Sequence, residues 1–340
     1  MTTAPTSGPG RRALRRQTRR AVLACVVVLA LSAGLAVAAL ASGRYATPLP
    51  DLWPALTGGG DPGLRFVLFE LRLPRIGTAL AVGAALGAAG ALFQSASRNP
   101  LGSPDIVGFT VGAATGALVV LLVLHDTRLT PAVGAVLGGA AVAAAALLLG
   151  GTGQRLILVG IGLSALLTSV NAYLLTRAEV TDAQNAAVWL VGSLNGSGHH
   201  LPLLLGALGA LLPLSVLAAR GLRLVENGGD KALSLGVPVR RQRLTATALA
   251  VALTAVGVAG AGPVGFVALA APHLARRLTR VAAPLVTTSA VLGAALLLAA
   301  DQLAQRLVPG QQLPVGAVTG VLGGGYLALV LAWTWRGRPR

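Results

Sequence analysis

The sequence predicts an all-α integral membrane protein: about ten transmembrane helices in one bundle, with both termini cytoplasmic. Three observations carry this. Hydrophobic residues make up 54% of the 340-residue chain and charged residues only 11%, against roughly 25% charged in soluble domains. The apolar residues fall into runs of about twenty, the length that crosses a bilayer core. Of the 27 basic residues, 20 fall on one side of the predicted bundle and 7 on the other, the asymmetry expected of an even number of spans with both ends inside.

The first element is a basic cytoplasmic tail, residues 1–20. Arg11, Arg12, Arg15, Arg16, Arg19 and Arg20 hold the first helix by its positive end. A signal peptide is the alternative, because Ala39-Leu40-Ala41 resembles a cleavage site. The run Ala21–Ala41 is longer than a usual signal core, which favours an uncleaved helix. A membrane domain, 21–335, follows, with spans at 21–42, 73–96, 104–124, 130–150, 155–176, 201–219, 244–261, 265–279, 284–305 and 314–335. The seventh and eighth are split at Gly260-Ala-Gly-Pro263, where one broken, re-entrant element is the alternative; such backbone is tolerated at depth only under protein cover. Residues 336–340 form a cytoplasmic C-terminal tail.

Composition excludes some functions. The formal charge of +17 invites a nucleic-acid reading, but the arginines sit between apolar runs, so topology accounts for them and no nucleic acid is expected. The single cysteine, Cys25, excludes an internal disulfide. No G-x-x-x-x-G-K-[ST] loop is present and Lys231 is the only lysine, so ATP phosphates cannot be cradled that way. His199 and His200 are adjacent on a loop and cannot make a metal site alone. No resident metal, cofactor or catalytic group is expected.

Six groups of residues carry the functional argument. Arg72 and Arg75 flank Pro74 and share a helix face; Pro74 suits the first turn of a helix. Gly83, Gly87 and Gly90 would let a second backbone come close in lipid, and Asn99-Pro100 with Ser103-Pro104 ends one helix and starts the next. In the polar loop 220–243, Asp230 can cap a short helix that Gly236 ends, with Ala232, Leu233 and Leu235 on its apolar side. That helix could seat in a partner's groove, or be an ordinary capped loop helix. In span 5, Gly160, Ser164, Thr168 and Asn171 form one polar stripe, which lines a path or makes interhelical hydrogen bonds; Gln94 in span 2 poses the same choice. Asp301 is the acid deepest in an apolar run, a functional-site hypothesis by default. It lies within reach of Gln305 or Arg306, which favours a local structural pair. Gly316, Gly320 and Gly324 suit close helix packing.

Taken together, Arg72 to Arg75, Gly83, Gly90, Gln94, Asn99-Pro100-Leu101, Pro104, Gly108 and Gly112-Ala113 resemble the pattern of the FecCD family, membrane permeases of ABC importers for iron-siderophores, haem and vitamin B12. Trp189-Leu-Val-Gly-Ser-Leu194, Pro272-His273, Ala300-Asp301 and Leu313-Pro-Val-Gly316 resemble further family segments, so the likeness covers about residues 55–335. It implies a permease that pairs with a second permease subunit, a heterodimer being favoured over a homodimer. Two ATP-binding cassette ATPases would dock below and use the ATP, and an extracytoplasmic substrate-binding protein would deliver ligand above. By the same likeness Arg72, Arg75 and Arg306 dock the binding protein, and Asp230 to Gly236 couple to the ATPases. The implied cargo is a ferric siderophore, an enterobactin-like catecholate favoured, with vitamin B12 or haem as alternatives. An ion-coupled secondary transporter is the rival of another class. It needs a midplane carboxylate or paired broken helices, and Asp301 fits that poorly.

Overall fold

A computed structural model describes residues 9–42, 48–59, 61–124, 130–151, 154–226, 228–281, 283–308 and 311–336. Arg44, Arg128, Arg338 and Arg340, and most of the two predicted tails' outermost residues, lie outside them. No strand occurs among the described residues. The helices are α1 (Pro9–Ala41), α2 (Leu49–Leu56), α3 (Pro62–Phe66), α4 (Leu73–Ser97), α5 (Phe109–Val119), α6 (Pro131–Gly150), α7 (Gln154–Arg177), α8 (Val180–Val191), α9 (Leu201–Glu226), α10 (Gly229–Ser234), α11 (Val239–Ala261), α12 (Val267–Thr279), α13 (Val286–Arg306) and α14 (Val315–Arg336).

Each of the ten predicted apolar runs falls on a helix, but they are not ten equal spans. Among the described residues, seven stretches are long and apolar enough to cross a membrane, while Phe109–Leu124 and Val315–Leu329 are shorter apolar helices. α12 has only 13 residues. The short elements start inside the bundle. Phe109, first residue of α5, packs its ring edge-on against Phe93 at 5.8 Å, so the hairpin 98–108 folds back beside α4. α12 begins next to Gly90. The chain breaks between Ala261 and Val267, at the split expected from sequence, and neighbouring backbone covers the break. Ser193 N–H donates to Ala261 O at 2.8 Å and Gly316 N–H to Gly192 O at 3.1 Å, as unpaired backbone away from water demands.

The centre is α4, with 83% of its apolar window buried against 11% for α1 and 17% for α7. It packs on α13 and α12 with backbones nearly touching. A Cβ at Gly83, Gly87 or Gly90 would overlap backbone of Gly293, Ser289 or Ala268. Lipid tails are as apolar as leucine, so this close approach stands in for the hydrophobic drive available in water. The stripe in α14 behaves differently from expectation. Gly316 is tightly packed, but Gly320 and Gly324 face open space, and Gly323 meets the Phe266 ring instead. α14 lies at the margin and touches the bundle on the 323 face.

Pro74 also needs correction. Its helix begins twelve residues earlier, at Pro62, capped by Asp61 Oδ2 accepting from Leu64 N–H at 3.0 Å. It continues through a π-helical turn, Val67–Arg72, into α4. The wider turn opens the ladder where proline cannot donate, so Pro74 sits inside a long helix. α2 and α8 had no counterpart among the predicted spans, and α1 already starts at Pro9, so the described part of the basic tail is helical.

Candidate functional site

The two ends of the bundle carry the polar groups. At the predicted outer end, Arg72 and Arg75 leave the π-to-α junction one turn apart. Antiparallel packing of α4 and α13 through their glycines brings Arg75 level with Asp301. Arg75 Nε donates to both Asp301 oxygens, at 3.2 and 3.1 Å, and Nη2 donates to Oδ1 at 2.8 Å. Its Nη1 donates to Asn195 Oδ1 at 2.7 Å and Gln312 Oε1 at 3.1 Å. Gln305 Nε2 completes Asp301's shell at 2.7 Å. The Asp301 side chain is 0% exposed and that of Arg75 16%. The sequence placed Asp301 with Gln305 or Arg306; Gln305 is a partner, but the charge comes from Arg75. Arg306, beyond Asp301's turn, donates to Ser42 Oγ at 2.5 Å and Gln302 Oε1 at 3.3 Å. Arg72 donates to the Leu40 carbonyl.

Arg75 thus divides two clefts. One, of about 320 Å³, is lined by Arg72, Arg75, Asp301, Gln302 and Gln305. The other, of about 460 Å³, is lined by Glu70, Arg75, Asn195, His199 and Gln312. Asn195 and Gln312 were not singled out from sequence; both lie in turns that only the fold brings to Arg75. Among the described residues no group of three His, Cys, Asp or Glu could hold a metal ion.

At the predicted inner end, α10 is the short helix expected in the 220–243 loop, with a different cap. Gly228 occupies the N-cap position with no side-chain bond, and Asp230 lies in the first turn, where its charge still favours the helix dipole. Gly236 ends the helix at φ +76°, with Val237 N–H donating to Ala232 O at 2.9 Å. The apolar side divides. Ala232 is fully buried against its own chain, while Leu233 and Leu235 are 59% and 69% exposed. Behind α10 sits a cluster that sequence reasoning missed. Glu226, in the field of Arg276, Arg223 and Arg98, is hydrogen-bonded to Ser95. Arg98 Nη2 donates to Val225 O at 2.8 Å, and Arg276 Nη2 to Gln94 Oε1 at 2.5 Å. An acid within an arginine-rich inner segment was the available signal.

The path candidates separate too. Gln94 is buried and donates to Leu269 O at 3.3 Å, so it ties α4 to α12. Ser164 Oγ donates to Gly160 O at 2.9 Å and Thr168 Oγ1 to Ser164 O at 2.8 Å; both hydroxyls turn back on their own helix. Gly160 packs against Val107. Asn171 is buried with Oδ1 unpartnered among the described residues, and most of α7 is open. Between these ends, Asp105 joins the two broken elements. It accepts from Thr110 Oγ1 at 2.6 Å, Ser103 Oγ at 3.1 Å and the Phe266 N–H. His273 stacks edge-on with Tyr326 at 5.8 Å, a structural contact.

The FecCD transport family matches residues 24–333. The ferric enterobactin transport system permease protein FepG of Escherichia coli (strain K12) is 41% identical, covering 92% of this chain and 97% of that protein. The iron(3+)-hydroxamate import system permease protein FhuG of Bacillus subtilis (strain 168) is 36% identical over 91% of this chain and 94% of its own. A solved structure, an inward-facing conformation of a metal-chelate type ABC transporter, superposes with a TM-score of 0.81 at 26% identity, covering 92% of this chain and 99% of that one.

Proposed function

The chain belongs to the FecCD transport family, and from that premise we propose that it is the translocation subunit of a binding-protein-dependent ABC importer for a ferric siderophore. It sits in the cell membrane of a bacterium beside a second permease subunit, a related chain in preference to an identical one. The observation that carries this reading is the division of labour between the two ends. An arginine-lined cleft opens at one, and a short helix presents Leu233 and Leu235 to solvent at the other. The cleft suits a charged protein surface, since rim charges steer encounter and fix register. Arg72 and Arg306 meet the binding protein, and Arg75 holds the cleft in shape through Asp301. The exposed leucines of α10 seat in a groove of an ATPase subunit, and Ala232 anchors that helix to its own bundle. The cargo path runs along the open face of α7, past Thr168, with Asn171 buried behind it. This chain makes and breaks no bonds, and ATP is hydrolysed by the partner.

A catecholate cargo of the enterobactin kind is favoured by the 41% identity to a ferric enterobactin permease. A haem cargo is the second reading, because a hemin transport system permease of Yersinia pestis is also 33% identical over 86% of this chain. Uptake of radiolabelled iron by a deletion strain tests both. Loss of ferric catecholate uptake alone, restored by the gene, is the expected result. Loss of haem uptake with catecholate uptake intact would transfer the assignment to haem, and unchanged uptake of all chelates would sink the importer reading.

A further inference from the structure

A further cavity lies outside all of this. A groove of about 1020 Å³ runs between α1 and α9 over a floor of α4 and α13, lined by apolar and small residues including Leu29, Gly77, Ala81, Gly209, Leu212 and Ala290. Along α9 it extends from Leu205 to Leu217, about 18 Å at 1.5 Å per residue. That is close to one leaflet of a hydrocarbon core roughly 30 Å thick. A Cβ added at Gly209 meets nothing within 4 Å, so the α9 wall stands back from the floor.

One end of the groove is strongly basic. The lining face of α9, through 205, 209, 212 and 216, continues at helical spacing to Arg220 and Arg223. Cys25 meets Thr288 and Arg306 meets Ser42, so α1 and α13 run parallel. That direction carries Arg16, Arg19 and Arg20 past the start of α13, to the same end of the bundle as Arg280, which follows α12. All six arginines are exposed, and the one ion pair among the described residues is Arg75–Asp301 at the far end. The first turn of α13 in the groove has no side-chain cap, which adds positive partial charge.

We propose that this groove binds an anionic glycerophospholipid, with an acyl chain against Gly209 and Ala290 and its phosphate among Arg19, Arg220 and Arg280. A second copy of this chain is disfavoured as occupant, because it would bring the same arginines to the same level. A basic site between helices next to an apolar slot is the chemistry that selects anionic lipid headgroups. Native mass spectrometry of the detergent-purified full chain, titrated with phosphatidylglycerol or with phosphatidylethanolamine, tests it. Wild type should hold one phosphatidylglycerol in preference to phosphatidylethanolamine. Gly209→Phe fills the slot and should lose the lipid, while Leu214→Phe, on the other face of α9, should keep it. Arg19→Gln with Arg220→Gln changes only exposed groups. It should weaken phosphatidylglycerol binding roughly thirtyfold, at about fivefold per arginine. Equal binding of the two lipids, or wild-type binding by either Gly209→Phe or the double arginine variant, would overturn the proposal. So would release of a second permease subunit by Gly209→Phe with lipid binding unchanged, which would make the groove a protein interface.

Discussion

The two ends of this bundle are built on opposite plans. At the arginine end, polar side chains are spent on one another: Arg75 uses five donor contacts on Asp301, Asn195 and Gln312, and Asp301 is sealed from solvent. At the α10 end Glu226 and its arginines lie behind α10, and α10 itself presents two leucines beside exposed Asp230 and Lys231. A partner at the first end meets a rigid, charged cleft whose shape is fixed in advance. A partner at the second meets apolar area that gains energy only on burial. The contrast argues for reversible, electrostatically steered docking at one end and lasting assembly at the other.

The largest expected effect breaks the first end. Arg75→Ala leaves Asp301 charged, buried and unpaired, which costs about 3–5 kcal/mol in comparable sites. Thermal unfolding of the detergent-purified chain should show that loss. Arg75→Met with Asp301→Leu removes both charges at similar volume and should recover most of the stability, since buried pairs are often replaceable by apolar residues. The double variant also separates two roles. If it is stable and still takes up substrate, Arg75 shapes the cleft and need not touch a binding protein; if it is stable and inactive, Arg75 makes the contact itself.

The second end should respond through assembly and leave folding intact. Leu233→Ser with Leu235→Ser removes two exposed side chains, each worth about 1.5–3 kcal/mol when fully buried. Co-purification of the ATPase with the permease should fall by at least tenfold, with the permease's own unfolding temperature unchanged. Retained co-purification would remove α10 from the interface. Ala232→Leu makes the complementary change: it overfills the contact between α10 and its own chain, and should lower stability before it affects assembly.

Much of this contrast was legible in the sequence, and the reasons for the remainder are physical. The close approach at Gly83, Gly87 and Gly90 could be read because glycine spacing is a local signal and the partner hardly matters. The α10 helix could be read because Gly236 and Pro238 end it locally. Asp301's partner could not, because Arg75 lies 226 residues away and meets it only through the α4–α13 register. The same holds for Asn195 and Gln312. The split of α10 into a buried Ala232 and exposed leucines depends on which side the bundle lies, which spacing within six residues does not fix. The π turn before Pro74 was hidden because a proline after an apolar stretch reads equally as a helix start. Gly320 and Gly324 kept their regular spacing without packing on anything among the described residues, so a stripe of small residues marks a permitted approach and not a made one.

The smallest effect sharpens the steering argument. Arg306 is exposed, and among the described residues it donates to Ser42 and to the buried Gln302 amide. Arg306→Glu should cost no more than that one hydrogen bond, about 1 kcal/mol, and so lower the unfolding temperature only slightly. Rim charges contribute about 0.2–1 kcal/mol each, so the concentration of loaded binding protein giving half-maximal uptake should rise, by up to about fivefold, with maximal uptake preserved. Because exposed charges are screened over about 10 Å at moderate ionic strength, the difference from wild type should shrink as salt is added to proteoliposomes. A defect in maximal uptake that salt leaves untouched would place Arg306 in the transport cycle itself, and the arginine end would then do more than receive its partner.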